Sequence, residues 1–117
     1  MPEEFKLIYV AGHYRHEDPF RVEENIFRAR QAGYQIALLG AMPVIPHANT
    51  AHYDALHDGQ WWLDATLELM RRCDAVYLLP NWRGSNGTKG ERAEALRLGL
   101  PVFEDMLDVG RWLNERA

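Results

Sequence analysis

The sequence lacks the features that mark secreted and membrane proteins. It contains a single cysteine, Cys73, so no disulfide can form within the chain, which fits a reducing, intracellular setting. No apolar stretch approaches the roughly 20 residues that span a bilayer. The chain starts with MPEEFKLIYVAG, which is acidic and has a short apolar run, whereas a signal peptide begins with basic residues. These absences predict a cytoplasmic protein with no membrane partner.

Basic residues and the known nucleotide-binding glycine motifs are also scarce. The chain has 13 Lys and Arg against 17 Asp and Glu, a net charge of -4, whereas a general nucleic-acid binder usually has a basic surplus. The glycine-rich loop at residues 84–90 lacks the residue order of a P-loop. Gly12, after the first apolar run, lacks the second and third glycines of the dinucleotide fingerprint. We therefore expect neither a nucleic-acid polymer nor a dinucleotide as partner.

The composition that remains is that of an ordinary globular domain. Of the 117 residues, 47% are hydrophobic and 26% are charged. This length suits one domain with one core, which we predict to span residues 1–117.

Short apolar runs alternate with segments of helical spacing along the chain. The predicted strands are residues 7–11, 42–46, 75–79 and 101–103. The predicted helices are residues 19–39, 61–72, 91–98 and 105–112. An alternative ends the first helix at Gly33 and makes the following apolar residues a strand. Because the strands are apolar throughout, we predict an α/β fold, a three-layer Rossmann-like (flavodoxin-like) parallel sheet of four to five strands with helices on both faces.

Three loops follow the predicted strands and hold most of the chemically capable residues, and ligands of open parallel sheets bind at such loops. They are residues 12–18, 47–58 and 81–90. The second loop carries three histidines and two aspartates, which are residue types that bind zinc. It has no tight ligand spacing, however, so the sequence predicts neither a metal nor a cofactor. His47, at the end of the second strand, is expected to face a substrate instead.

Four stretches, in order along the chain, resemble the nucleoside 2-deoxyribosyltransferase-like superfamily, which includes 2-deoxynucleoside 5-phosphate N-hydrolases. The order and spacing are most similar to small members of unknown function. The stretches are Tyr9-Val10-Ala11-Gly12, then Val44-Ile45-Pro46-His47, then Asp64 ahead of Cys73-Asp74-Ala75-Val76, and finally Ser85-x-Gly87-Thr88-x-x-Glu91 followed by Gly99-Leu100-Pro101-Val102.

The resemblance implies a mechanism in which Glu91 is the nucleophile. It attacks the anomeric carbon of a nucleoside or nucleotide, the base leaves, and water or a second base takes the sugar from the glycosyl-enzyme. Placed in the first turn of a helix, Glu91 would be favoured as an anion by about 0.3–1 kcal/mol. The position alone also fits a glutamate whose charge only stabilises the helix by interacting with its dipole. The resemblance further implies a small-molecule nucleoside or nucleotide partner and a homo-oligomer, dimeric or larger.

Ser85 bears on the substrate. Transferases that use free nucleosides tend to have an aspartate here, whereas the related nucleotide hydrolases have a serine, which can donate a hydrogen bond to a 5′-phosphate. The serine therefore favours a nucleoside 5′-monophosphate, although an ordinary turn serine fits as well. Arg15 and Lys89 are candidates to complete a phosphate site, and each also fits a solvated surface charge.

The remaining candidates follow from the same resemblance. Asp64 would position the leaving base or act as an acid, or it is simply an aspartate in the first turn of a helix. The full predicted substrate-binding set is Tyr9, Gly12, Tyr14, Arg15, His47, Trp82, Ser85, Gly87 and Lys89. For Tyr9 and Trp82, packing is the competing interpretation. Competing functions are a nucleotide-binding or sensing module without turnover, and a structural protein with a vestigial pocket.

Overall fold

A computed structural model describes residues 5–115, and its centre is a four-stranded parallel sheet. The acidic residues that begin the chain lie outside the described range. The strands are β1 (Leu7–Ala11), β2 (Met42–Val44), β3 (Ala75–Leu78) and β4 (Val102–Phe103). Their order is β2-β1-β3-β4, with Tyr9 of β1 opposite Val44 on one side and Val76 on the other. The predicted parallel sheet is confirmed.

Helices cover both faces of the sheet. They are α1 (Pro19–Leu38), α2 (Pro46–Asn49), α3 (Gly59–Arg71), α4 (Asn86–Leu98) and α5 (Met106–Glu115), with single 3₁₀ turns at Asp54–Leu56 and Trp82–Gly84. Ile8 and Val10 of β1 pack against α1 and α5, whereas Tyr9 and Ala11 pack against α3 and α4. Successive strand residues thus enter two cores, which confirms the three-layer arrangement and explains why β1 has no polar alternation.

The long first helix is also confirmed, and the alternative strand after Gly33 is wrong. Asp18 caps α1 by accepting a hydrogen bond from the backbone N–H of Phe20, and proline occupies the first helical position. Gly33 lies where α1 crosses β2, and a Cβ there would come within 2.3 Å of Ile45 Cδ1. The glycine that resembled a helix stop therefore serves close packing inside the helix.

Two of the predicted boundaries that differ from the structure bear on the site. The second strand ends at Val44, because Pro46 begins the short helix α2. The fourth helix begins at Asn86 and not at Glu91, because Ser85 caps it by accepting from Thr88 N at 3.2 Å. Glu91 therefore lies in the second turn of α4, beyond the turn where the helix dipole favours negative charge most.

Within the range that the structure covers, no helix combines the length and apolarity needed to cross a membrane.

Candidate active site

A cavity of about 440 Å³ lies at the carboxyl ends of the strands. Its walls come from the segment after β1, from α2, from the first turns of α3 and from the N-terminal half of α4. Eight of the predicted site residues line it, and they come from all three predicted loops, from β1 and, in the case of Glu91, from α4. They are Tyr9, Gly12, Tyr14, Arg15, His47, Ser85, Gly87 and Glu91.

Glu91 and Tyr9 form a buried pair in this cavity. Tyr9 lies in the middle of β1 with its ring toward α4, and its hydroxyl donates a hydrogen bond to Glu91 Oε2. Glu91 is only 8% exposed and Tyr9 is fully buried. Burial raises the pKa of Glu91 to about 7, against the opposing effect of the Tyr9 bond. Burial, followed by the charge of Glu91, holds the pKa of Tyr9 well above its ordinary value, so Tyr9 remains a donor.

The end of β1 requires a glycine for steric reasons. A Cβ at Gly12 would lie 2.4 Å from Leu79 Cδ1 and 2.8 Å from Leu79 Cβ, so any larger residue would push β1 and β3 apart. This close approach leaves the carbonyl groups of Gly12 and His13 facing His47 on α2.

His47 is held as a neutral ring with one nitrogen toward the backbone. Its Nε2 lies 3.1 Å from Gly12 O and 3.2 Å from His13 O, so Nε2 carries the proton and donates. Burial lowers the pKa of His47, which keeps the ring neutral. Its Nδ1 then carries a lone pair, and this buried atom has no hydrogen-bond partner among the described residues. His47 thus lines the cavity with a neutral ring whose Nδ1 is buried and unpaired among the described residues.

Tyr14 connects the residues that form a second wall of the cavity. Its hydroxyl donates to Asp54 Oδ1 at 2.9 Å and accepts from the backbone N–H of His52 at 2.8 Å. The indole of Trp62 donates to the carbonyl of Asp54 at 3.2 Å. His52 has a φ of 65°, a left-handed conformation that these contacts help to hold. The segment between α2 and α3 is therefore an ordered wall.

The N-terminus of α4 forms the third wall. Ser85 Oγ accepts from the backbone N–H of Thr88 and lies 2.9 Å from its hydroxyl, so the cap is part of the cavity surface. Asn86 and Gly87, in the first helical turn, also line the cavity. Arg15 lines the cavity too, with its guanidinium beside the backbone of Gly59. Backbone donors at a helix start together with an arginine suit an anion.

Three predicted site residues lie outside the cavity. Asp64 is exposed on α3 and accepts from Gln60 Nε2 at 2.8 Å. Trp82 is buried in the core, where its indole N–H donates to Glu104 Oε1 at 2.9 Å. Lys89 is exposed on α4 and does not line the cavity. The structure thus does not bring these side chains together with Glu91.

Comparison with known proteins agrees with this architecture. A family model described as a domain of unknown function, DUF4406, matches residues 6–104. The chain belongs to the DUF4406 family. A solved 2-deoxyribosyltransferase from the psychrotolerant bacterium Bacillus psychrosaccharolyticus superposes with a TM-score of 0.64 at 21% identity, covering 89% of this chain and 90% of that chain. The resemblance to the deoxyribosyltransferase-like superfamily is therefore confirmed for the fold. No curated protein gives a significant match.

Sequence reasoning missed several cavity residues of this DUF4406 chain. Asp54 is one of the two aspartates of the second predicted loop, where the sequence suggested zinc ligands only, yet it is the second carboxyl group that lines the cavity. Trp62 and Thr66 face the cavity from α3, and their spacing of four residues was a signal that they share a helix face. Among residues 5–115, no three His, Cys, Asp or Glu side chains are grouped so that they could hold a metal ion.

Proposed function

We propose that this DUF4406 protein cleaves or transfers the N-glycosidic bond of a nucleoside 5′-monophosphate. The observation that carries the proposal is Glu91, a carboxyl group that is buried yet lines an open cavity and is oriented by Tyr9. One carboxylate oxygen, Oε2, accepts the tyrosine bond, and we assign the other, Oε1, to the attack on the sugar. The fold of a 2-deoxyribosyltransferase around this cavity supports the assignment.

The proposed reaction has two displacements at the anomeric carbon. In the first, a bond forms between Glu91 Oε1 and C1′ while the C1′–N bond breaks, and the base leaves with the electron pair and takes up a proton. In the second, water or another base attacks C1′ and releases Glu91. Because Glu91 must be ionised to attack, and its pKa is about 7, roughly half of the free protein is ready near neutral pH.

The walls of the cavity support a nucleotide rather than a free nucleoside. The N–H groups of Asn86 and Gly87 lie in the first turn of α4, where backbone donors are not used by the helix. Ser85 can add its hydroxyl and Arg15 its guanidinium, and both line the cavity. A volume of about 440 Å³ falls within the range of small-molecule sites, roughly 300–1,000 Å³.

The leaving base needs a proton, and the family resemblance implied that Asp64 either positions the base or acts as the acid. We assign it to Asp54, because Asp54 lines the cavity and its Oδ1 is fixed by Tyr14. The apolar surfaces of Pro46, Trp62 and Leu63 lie in the same cavity and suit the faces of a base.

The direct test is release of free base. The protein is incubated with a panel of deoxynucleoside and ribonucleoside 5′-monophosphates and the matching nucleosides, and the products are separated by chromatography. We expect base from at least one 5′-monophosphate, and at least a hundredfold loss in Glu91→Gln, which keeps an acceptor for Tyr9. Glu68→Gln, an exposed glutamate on α3, is the matched control and should keep full activity.

The rival function has a distinct outcome in the same experiment. If 5′-monophosphates raise the melting temperature of both wild type and Glu91→Gln, but no base is released, the protein is a nucleotide-binding module. If there is neither release nor a thermal shift, the cavity does not take nucleotides and the proposal is wrong.

A further inference from the structure

A second cavity, of about 290 Å³, adjoins the first on the side of α1. His13 and Gly84 line both cavities, so the two meet at the segment after β1 and at the 3₁₀ turn before α4. The reaction proposed above takes place in the first cavity alone. The second cavity is therefore a neighbouring space that the proposed reaction does not use.

One face of α1 gives the second cavity a basic wall. This face carries Arg21, Glu24, Asn25 and Arg28, at intervals of three, one and three residues, which place side chains on one side of a helix. A single carboxylate contacts both arginines, because Glu24 Oε1 lies 2.7 Å from Arg21 Nη1 and Oε2 lies 3.6 Å from Arg28 Nη2. Glu24 thus draws the two guanidinium groups together. Two positive charges face one negative charge, and each guanidinium has five N–H donors, most of which the carboxylate does not use.

The loop after β1 adds a neutral donor to the second cavity. His16 lines it, and its Nδ1 accepts from the backbone N–H of Asp18 at 2.9 Å, so Nε2 carries the proton of the neutral ring. Asn25, which is only 6% exposed, donates from Nδ2 to the carbonyl of Tyr14 at 3.1 Å and so fastens this loop to α1. Arginines together with an N–H donor suit an anion, and phosphate in particular.

The junction between the two cavities is free of side chains on one side. Gly84 directly precedes Ser85 and the first turn of α4, which the proposed function assigns to the 5′-phosphate. A Cβ at Gly84 would meet only His13 Nδ1, at 3.9 Å, so packing does not require a glycine here. The missing side chain leaves room for a group that is attached to the 5′-phosphate and extends into the second cavity.

We propose that the second cavity binds the β-phosphate of a nucleoside 5′-diphosphate. The inference rests on the proposed function, which places the α-phosphate at the start of α4. A phosphoanhydride puts the second phosphoryl group directly beside the first, as two cavities with shared walls require. Arg21 and Arg28 bind the β-phosphate oxygens, and His16 donates from Nε2. The reaction at the anomeric carbon stays as described, with a substrate that carries one more phosphoryl group.

The first test is calorimetric titration of the full chain without divalent cations. The probes are ADP, CDP, GDP, UDP and dTDP and the matching monophosphates. We expect at least one diphosphate to bind about tenfold more tightly than its monophosphate. Arg21→Gln and Arg28→Gln should each weaken the diphosphate about three- to tenfold and leave the monophosphate within about twofold. Arg111→Gln is the matched control, because Arg111 is an exposed arginine on α5 that pairs with Asp108 three residues away, and it should change neither Kd.

The second test reverses the sign of the effect. Glu24→Gln keeps an oxygen that can accept from the arginines but removes the negative charge, so it should tighten diphosphate binding about two- to fivefold. Weaker binding by Glu24→Gln overturns the inference, since the net charge of this wall would then not hold the ligand. Circular dichroism verifies that all variants fold.

Inorganic pyrophosphate and phosphate separate this inference from the proposed function. If base is released from monophosphates but no diphosphate binds more tightly, the inference alone is overturned. If no nucleotide binds and no base is released, the proposed function is wrong. In that case pyrophosphate that binds more tightly than phosphate, and loses this advantage in Arg28→Gln, still supports a phosphoryl site in the second cavity. Equal affinities for pyrophosphate and phosphate, or a diphosphate preference that survives both arginine variants, overturn it.

Discussion

The buried carboxyl group of Glu91 should make the stability of the protein fall as the pH rises from about 4.5 to about 7. In the folded chain Glu91 keeps its proton up to a pKa of about 7, whereas in the unfolded chain it loses it near its ordinary pKa of 4.5. Between these values the folded state binds more protons, so the free energy of unfolding decreases with pH. Glu91→Gln removes the ionisable group but keeps its size and its acceptor for Tyr9.

The expected magnitude follows from the two pKa values. The difference between 4.5 and about 7, at about 1.4 kcal/mol per pH unit, amounts to roughly 3.5 kcal/mol. Most of it, about 3 kcal/mol, should appear as a gain of Glu91→Gln relative to wild type between pH 4.5 and pH 8. His47 has an opposing effect, because burial lowers its pKa, but it is present in both proteins and cancels in their difference.

Urea unfolding at a series of pH values, followed by tryptophan fluorescence, measures this difference. Glu68→Gln is the control, and its difference from wild type should stay flat from pH 4.5 to 8, because Glu68 is exposed. The reasoning is refuted if the profiles of Glu91→Gln and wild type run parallel over this range, since Glu91 would then be ionised in both the folded and the unfolded chain.

Three further predictions concern the cavity. Tyr9→Phe removes the hydrogen bond that lowers the pKa of Glu91, so the pH at which kcat/KM reaches half its maximum should rise above about 7, as a pH–rate profile would show. Gly12→Ala should destabilise the fold by about 1–3 kcal/mol in urea titrations, because its Cβ would overlap Leu79. An unchanged urea midpoint for Gly12→Ala would contradict the close approach of Gly12 and Leu79. Asp64→Asn should leave base release within about twofold of wild type, since Asp64 lies outside the cavity; a large loss would return it to the mechanism.

The layers of the fold were predictable because burial on both faces of the sheet leaves a direct trace in the sequence. Ile8 to Ala11 are all buried, so β1 reads as an uninterrupted apolar run. The start of α4 was not predictable in this way, because Gly87 and Gly90 have low helix propensity and resemble a loop. Ser85 accepts from Thr88 and begins the helix in spite of them.

The candidate site, like the fold, could be predicted from the sequence only in part. The order of motifs along the chain predicted that Tyr9, His47 and Glu91 belong to one site, and all three line the cavity. Sequence could not separate Asp54 from Asp64, because both follow the second strand and either could face a ligand. Asp54 lies on the 3₁₀ turn before α3, whereas the direction of Asp64 depends on how α3 is rotated against the sheet. Tertiary packing sets that rotation, and the apolar pattern of the helix alone does not say which of two neighbouring positions faces a ligand.

The glycines at the start of α4 have a consequence for how binding and catalysis are connected. Packing requires neither of them, because a Cβ at Gly90 would meet no atom within 4 Å and one at Gly87 would lie 3.9 Å from Ser85 Oγ. Each costs the helix up to about 1 kcal/mol relative to alanine. The turn that leads to Glu91 is therefore weakly held on its own. An anion bound to its open N–H groups would complete the helix, so that the substrate itself would order the segment that carries the nucleophile.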